Sequence, residues 1–161
     1  MGKVSKYHSN VEKGIRAFGE KYPKRFEKVC DSATPIHINH PTKKMYPILY
    51  YPDVIIVTKV GKRHIFEVLE SELRDANLII ADILQSCLSP NTSEVIFIVK
   101  KEKDQDKVMD LAQTITDNLI SKGISKKELP RVNVFYILRS EAKSSETVTE
   151  ILADLLFVRK K

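Results

Sequence analysis

Asp53 and Glu67 are the residues whose type and spacing point most directly to chemistry. Asp53 follows Pro52 and opens the apolar run Val54–Val57, while Glu67 interrupts Ile65, Phe66, Val68 and Leu69. A carboxylate in such a strand needs an exposed edge or a partner, because burying it alone is very costly. The intervening Lys59-Val60-Gly61-Lys62-Arg63 has hairpin-turn length with a glycine inside. Antiparallel pairing across it brings Asp53 and Glu67 to the same end. Two carboxylates at that distance repel unless a cation sits between them. Oxygen ligands of this kind suit Mg²⁺ or Mn²⁺, which can activate water and stabilise charge on a phosphodiester. The plainer reading has Asp53 capping a strand and Glu67 paired with a lysine or arginine at the rim.

The elements that must position these acids follow from periodicity. Asn10 is the expected N-cap of a first helix of about twenty residues, with Val11, Ile15, Phe18, Tyr22, Phe26 and Val29 at helical steps. Pro23 predicts a kink or break near Tyr22. After a loop at Ser32–Pro35, Ile36–Asn39 and Met45–Tyr50 are short extended stretches. Asp53–Lys59 and His64–Glu70 are the hairpin strands. Ser71 opens a second helix to about Ser86, apolar over a broad face that includes Leu73, Leu78, Ile79, Ile83 and Cys87. Glu94–Lys100 and Val132–Leu138 read as buried strands. Between them a helix spans Gln105–Lys122 and ends at Gly123, and Ser145–Val158 forms the last helix. The fold class expected is α/β, one domain over residues 1–161, with a mixed sheet flanked by helices on both faces. The apolar last helix serves either to close the core or to build a homodimer.

Composition narrows the function classes. At 42% apolar and 30% charged the chain is a folded protein rather than a disordered one. No apolar run approaches the length of a membrane span, and the first ten residues lack the apolar core of a secretory leader. Cys30 and Cys87 stand 57 positions apart without a CxxC partner, so free thiols in a reducing, cytoplasmic setting are expected. The surplus of 27 basic over 21 acidic side chains favours a polyanionic partner, DNA first. Lys43, Lys44, Lys62 and Arg63 are the expected nucleic-acid contacts. His8, His37, His40 and His64 could contact phosphate, although isolated histidines are more often structural. P-loop, GxGxxG, HExxH and GxSxG motifs are absent.

Pro52-Asp53, thirteen intervening residues and then Glu67, preceded by Gly61-Lys62 and an apolar strand, resembles the PD-(D/E)xK nuclease superfamily. The order of elements from about Asn10 to Leu138 is similar to that family's core. The resemblance implies a restriction-endonuclease-like fold and a metal-dependent deoxyribonuclease, with Asp53 and Glu67 as metal ligands and Glu12 as an accessory acid. One departure stands out: the family lysine belongs two residues after the glutamate, where this chain has Leu69. That lysine helps to stabilise charge on the phosphate under attack. Lys59, Arg74 or Lys100 could replace it, or Glu70-Ser71-Glu72 could form an ExE variant with Glu70 at the site. Otherwise the domain binds nucleic acid without cutting it. A third possibility is a small α/β protein with structural carboxylates and no nucleic-acid role.

Overall fold

A computed structural model describes residues 4–69 and 76–157. The first helix, α1, spans Lys6–Lys21 and is capped by Ser5, whose Oγ accepts a hydrogen bond from the His8 backbone N–H. The cap thus falls before Asn10, which lies inside the helix. Helix α1 ends just before Pro23, but no helix resumes beyond it. Phe26–Cys30 forms a strand, β1, antiparallel to β4 (Val54–Thr58). A bulge between Phe26 and Lys28 shifts the register. The extra residue puts Phe26 and Val29 against the same core. Three-residue spacing on one face imitates a helix, which explains why the sequence pattern suggests one.

The next two strands, β2 (Ile36–Ile38) and β3 (Ile48–Tyr50), pair only with each other as a separate ribbon. Strand β5 (Arg63–Leu69) then pairs antiparallel with β4. Its turn is closed by bonds from the Thr58 N–H to the Lys62 carbonyl (2.8 Å) and from the Gly61 N–H to the Thr58 carbonyl (3.0 Å). Gly61 supplies the positive φ, 78°, that this loop requires. After α2 (Ala76–Leu88), strand β6 (Thr92–Val99) runs parallel to β5. Helix α3 (Glu102–Ser121) leads to β7 (Arg131–Tyr136), parallel to β6, and α4 (Ser145–Phe157) follows. The main sheet has the order β1-β4-β5-β6-β7. It is mixed, as the sequence led us to expect.

Alternation along the strands splits the core in two. Val54, Ile56, Phe66, Val68, Ile96 and Ile98 face α1 and α4, while Ile55, Ile65, Val95, Phe97 and Val99 face α2 and α3. Helices therefore cover both faces of the sheet. The apolar side of α4 is occupied within the chain: Val148, Leu152 and Leu156 are buried in the α1 core. Of its two expected roles, α4 performs core closure. Leu78 departs from the expected apolar face of α2, being 62% exposed.

Helix α1 approaches α4 unusually closely at Gly14. The Thr149 hydroxyl donates to the Gly14 carbonyl at 3.1 Å. A Cβ at Gly14 would lie 2.4 Å from Val148 Cγ1 and 2.5 Å from Val148 Cβ. The branch point of a β-branched side chain cannot rotate away from such a contact. Gly14→Ala should therefore destabilise the protein by about 1–3 kcal/mol, overriding alanine's roughly 1 kcal/mol helix-propensity advantage. Urea unfolding measures this. Val148→Ala in the same background should recover part of the loss, and additive effects would show that the contact does not limit packing.

Candidate metal centre

The β4–β5 register pairs Val54 with Phe66, so the next step outward sets Asp53 against Glu67. The open end of the hairpin thus carries both acids, as the spacing implied. Asp53 lies just outside the β4 ladder, and its Oδ2 accepts the Val68 backbone N–H at 2.7 Å. Its Oδ1 lies 3.3 Å from His8 Nε2, which is also 3.4 Å from Glu12 Oε1. Asp53 is therefore held by β5 on one side and faces α1 on the other.

Glu67 points to the opposite layer. It is 7% exposed and accepts a short hydrogen bond from the Tyr50 hydroxyl, so the β2–β3 ribbon closes over it. Burial raises the Glu67 pKa well above the usual carboxylate range, and the neighbouring Asp53 charge raises it further. Tyr50 pulls in the other direction by donating its hydrogen bond, while Asp82 adds repulsion. The Tyr50 pKa is itself raised, first by burial and then by the Glu67 charge. Asp82, on α2, is pushed up to about 6 by burial and by Asp53. Asp53 thus disfavours the charged forms of two neighbouring acids.

Part of this group could hold a cation. One ligand atom each from His8, Glu12 and Asp53 lies within 4.8 Å of the others. Two carboxylates and an imidazole suit a divalent ion that accepts both oxygen and nitrogen, Mn²⁺ more readily than Mg²⁺. Glu67 adds a carboxylate on the other side of Asp53, whose effect a cation would offset.

The remaining expected site residues are distributed unevenly. Glu12 joins Asp53 through His8, and its other oxygen lies 3.9 Å from Arg16 Nη2. Lys59 begins the turn, on the order of 20 Å along the strand from Asp53 at ~3.3 Å per residue. It cannot replace the missing charge at Glu67. Lys62 and Arg63 also lie at the turn end, since a hairpin's turn is opposite its open end. The Arg63 guanidinium is bound to the Pro90 carbonyl at 2.7 Å. These two therefore lie at the far end of the hairpin from the carboxylates. Lys43 and Lys44 are exposed between β2 and β3, on the ribbon that carries Tyr50. Glu70 and Arg74 lie outside the described residues. Lys100 directly follows Val99, the strand partner of Leu69, and its Nζ lies 5.2 Å from the centre of the Tyr7 ring, beside His8. His64 lies nearer the turn end of β5 and meets Glu94 at 3.4 Å.

Two participants, Asp82 and Tyr50, escaped sequence reasoning, while His8 and Glu12 were expected singly and their pairing, four apart on one helix, was not. Asp82 is the lone acid in the described length of α2. Tyr50 carried no local signal, because its role depends on where the ribbon folds. No protein-family model, curated protein or solved structure matches the chain.

The raised pKa values give a signed prediction for metal-free protein. A group whose folded pKa lies above its unfolded value favours folding at low pH and loses that contribution as pH rises. For Asp82 the loss runs from about 4 to about 6. In EDTA, thermal stability should fall across this window, and Asp82→Asn should flatten the fall. Glu67→Gln, which keeps an acceptor for Tyr50, should melt higher than the parent at pH 8. Mn²⁺ should raise the parent's Tm more than the variant's. A Glu67→Gln protein that melts lower in EDTA would indicate a structural carboxylate instead.

Proposed function

We propose that the protein is a metal-dependent nuclease that hydrolyses phosphodiester bonds in DNA, on a restriction-endonuclease-like fold. The observation that carries this reading is the buried Glu67 beside Asp53 at the open end of the β4–β5 hairpin. His8 and Glu12 face the same aspartate. An ordinary structural carboxylate is paired with a cationic side chain, whereas Glu67 is surrounded by Tyr50, Asp53 and Asp82. The site lies at the carboxyl end of β5, one of three parallel neighbours, where α/β sheets commonly bind ligands.

Asp53, Glu67, His8 and Glu12 would hold Mn²⁺ or Mg²⁺, which supplies positive charge against the phosphate and makes water more acidic. The chain's own residues do the positioning. The Val68 N–H fixes one Asp53 oxygen, and the Tyr50 hydroxyl fixes one Glu67 oxygen. His8 and Glu12 are carried one helical turn apart on α1, so both meet Asp53 together. Lys100 takes the place of the motif lysine as the fixed positive charge toward the phosphate, since Leu69 cannot. Its attachment is the neighbouring strand rather than β5 itself.

A second reading has one observation in its favour. With Leu69 at the lysine position, the domain could bind nucleic acid without cutting it. Cleavage separates the two. Supercoiled, linear and branched DNA should be cut in Mn²⁺ or Mg²⁺, and not in EDTA. Asp53→Asn and Glu67→Gln should each lower kcat by about a hundredfold or more, the scale of losing a preorganised charge contact. Lys100→Ala should lower kcat while leaving metal affinity unchanged. Cleavage that persists unchanged in both carboxylate variants would end the nuclease reading.

A further inference from the structure

A second charged feature lies next to this centre and has the opposite sign. Lys6, Lys100, Arg139 and Lys143 line one cavity of about 350 Å³, with Tyr7 and Asn10 in its wall. Among the described residues, no acidic side chain lines it. Its cations come from three separate parts of the chain: the first turn of α1, the residue after β6, and the segment joining β7 to α4.

The backbone beneath them is fixed. Asn10 Nδ2 donates to the carbonyls of Ala142 (2.9 Å) and Lys143 (3.2 Å), fastening the β7–α4 segment to α1. That segment is itself turned by the Ala142 N–H to the Leu138 carbonyl, 3.0 Å, and by the Leu138 N–H to Glu141 Oε1, 2.9 Å. Tyr7, 5% exposed, donates its hydroxyl to the Ile137 carbonyl at 2.7 Å. The cavity therefore sits where β6 and β7 end and α1 begins. Lys6, Arg139 and Lys143 reach solvent there.

Four cations around one small space repel one another, and an anion between them removes that cost. The positive end of the α1 dipole adds to the same field. An apolar ligand would leave the exposed charges of Lys6, Arg139 and Lys143 uncompensated, and a metal cation would be repelled. Tyr7 lines the cavity and the next residue, His8, faces Asp53. A strand whose phosphodiester lay at the carboxylates would bring a neighbouring phosphate here.

We propose that this cavity is a phosphate-binding subsite that holds the substrate strand beside the metal centre. The assignment to substrate rests on the nuclease reading; the binding of phosphate does not. Two sources share this chemistry, a terminal phosphomonoester and an internal phosphodiester.

The test is equilibrium binding in EDTA, so it stands whether or not the protein cuts. A fluorescein-labelled single-stranded oligonucleotide is titrated by anisotropy, then displaced with inorganic pyrophosphate. The full chain should bind both. The Arg139→Ala/Lys143→Ala variant, changed only at exposed side chains, should bind both about tenfold more weakly or worse, the scale of losing charge-assisted contacts. Its salt dependence should be shallower by about 0.7 per lost contact. Far-UV circular dichroism checks that the fold is retained. Tighter binding of a 5′-phosphorylated strand than of its 5′-hydroxyl form assigns the subsite to a strand end. Equal binding assigns it to an internal diester. Binding that is unchanged in the double variant, or a strand that pyrophosphate cannot displace, overturns the proposal. Loss of cleavage with binding intact in the parent would instead count against the nuclease reading alone.

Discussion

The arrangement depends on the cost of keeping two carboxylates together at the end of an apolar hairpin. Glu67 is nearly enclosed, and both its burial and the charge of Asp53 oppose its ionisation. A folded chain tolerates this only where something compensates. Part of the compensation is visible: Tyr50 donates to Glu67, and the Val68 N–H donates to Asp53. Both contacts orient the acids without neutralising them. Removing a charged partner and leaving its mate buried is among the most destabilising changes a core can suffer. A cation at such a site would offset the repulsion that those contacts leave.

Each neighbouring element contributes to the same end. The β2–β3 ribbon stands outside the main sheet, yet it packs Ile36 and Tyr50 into the α2–α3 core. That packing places a hydroxyl over Glu67. Helix α1 is pressed against α4 by the absence of a side chain at Gly14, and this seats His8 and Glu12 over Asp53. The short bonds from Tyr7 and Asn10 then tie the start of α1 to the β7–α4 segment. The acidic centre and the basic cavity are therefore two sides of one helix end.

Much of this was legible in the residues. The pairing of Asp53 with Glu67 followed from a glycine turn of known length, because antiparallel register is arithmetic once the turn is fixed. The buried strands at Glu94–Lys100 and Val132–Leu138 followed from unbroken β-branched and aromatic runs. The glycine stop of α3 did too: Ile124 N–H reaches the Leu119 carbonyl and Gly123 N–H the Ile120 carbonyl, closing the helix. What escaped was non-local. Strand β1 was hidden by a bulge that gave Phe26 and Val29 helical spacing. Tyr50 and Asp82 meet Glu67 only through tertiary folding. The basic residues near the hairpin drew attention to Lys59, Lys62 and Arg63, which the strand's length carries away from the acids. The cations near the centre come instead from Lys6, Lys100, Arg139 and Lys143, distant in sequence and gathered by the ends of β6 and β7.

The account requires a divalent cation to bind at Asp53. Diffraction from crystals soaked in Mn²⁺, recorded for its anomalous signal, locates such an ion directly. The expected result is a peak within coordination distance of Asp53, with ligands drawn from His8, Glu12 and Glu67. An empty centre in crystals that hold Mn²⁺ elsewhere, with His8 bridging Glu12 and Asp53 as a plain ion pair, would contradict it.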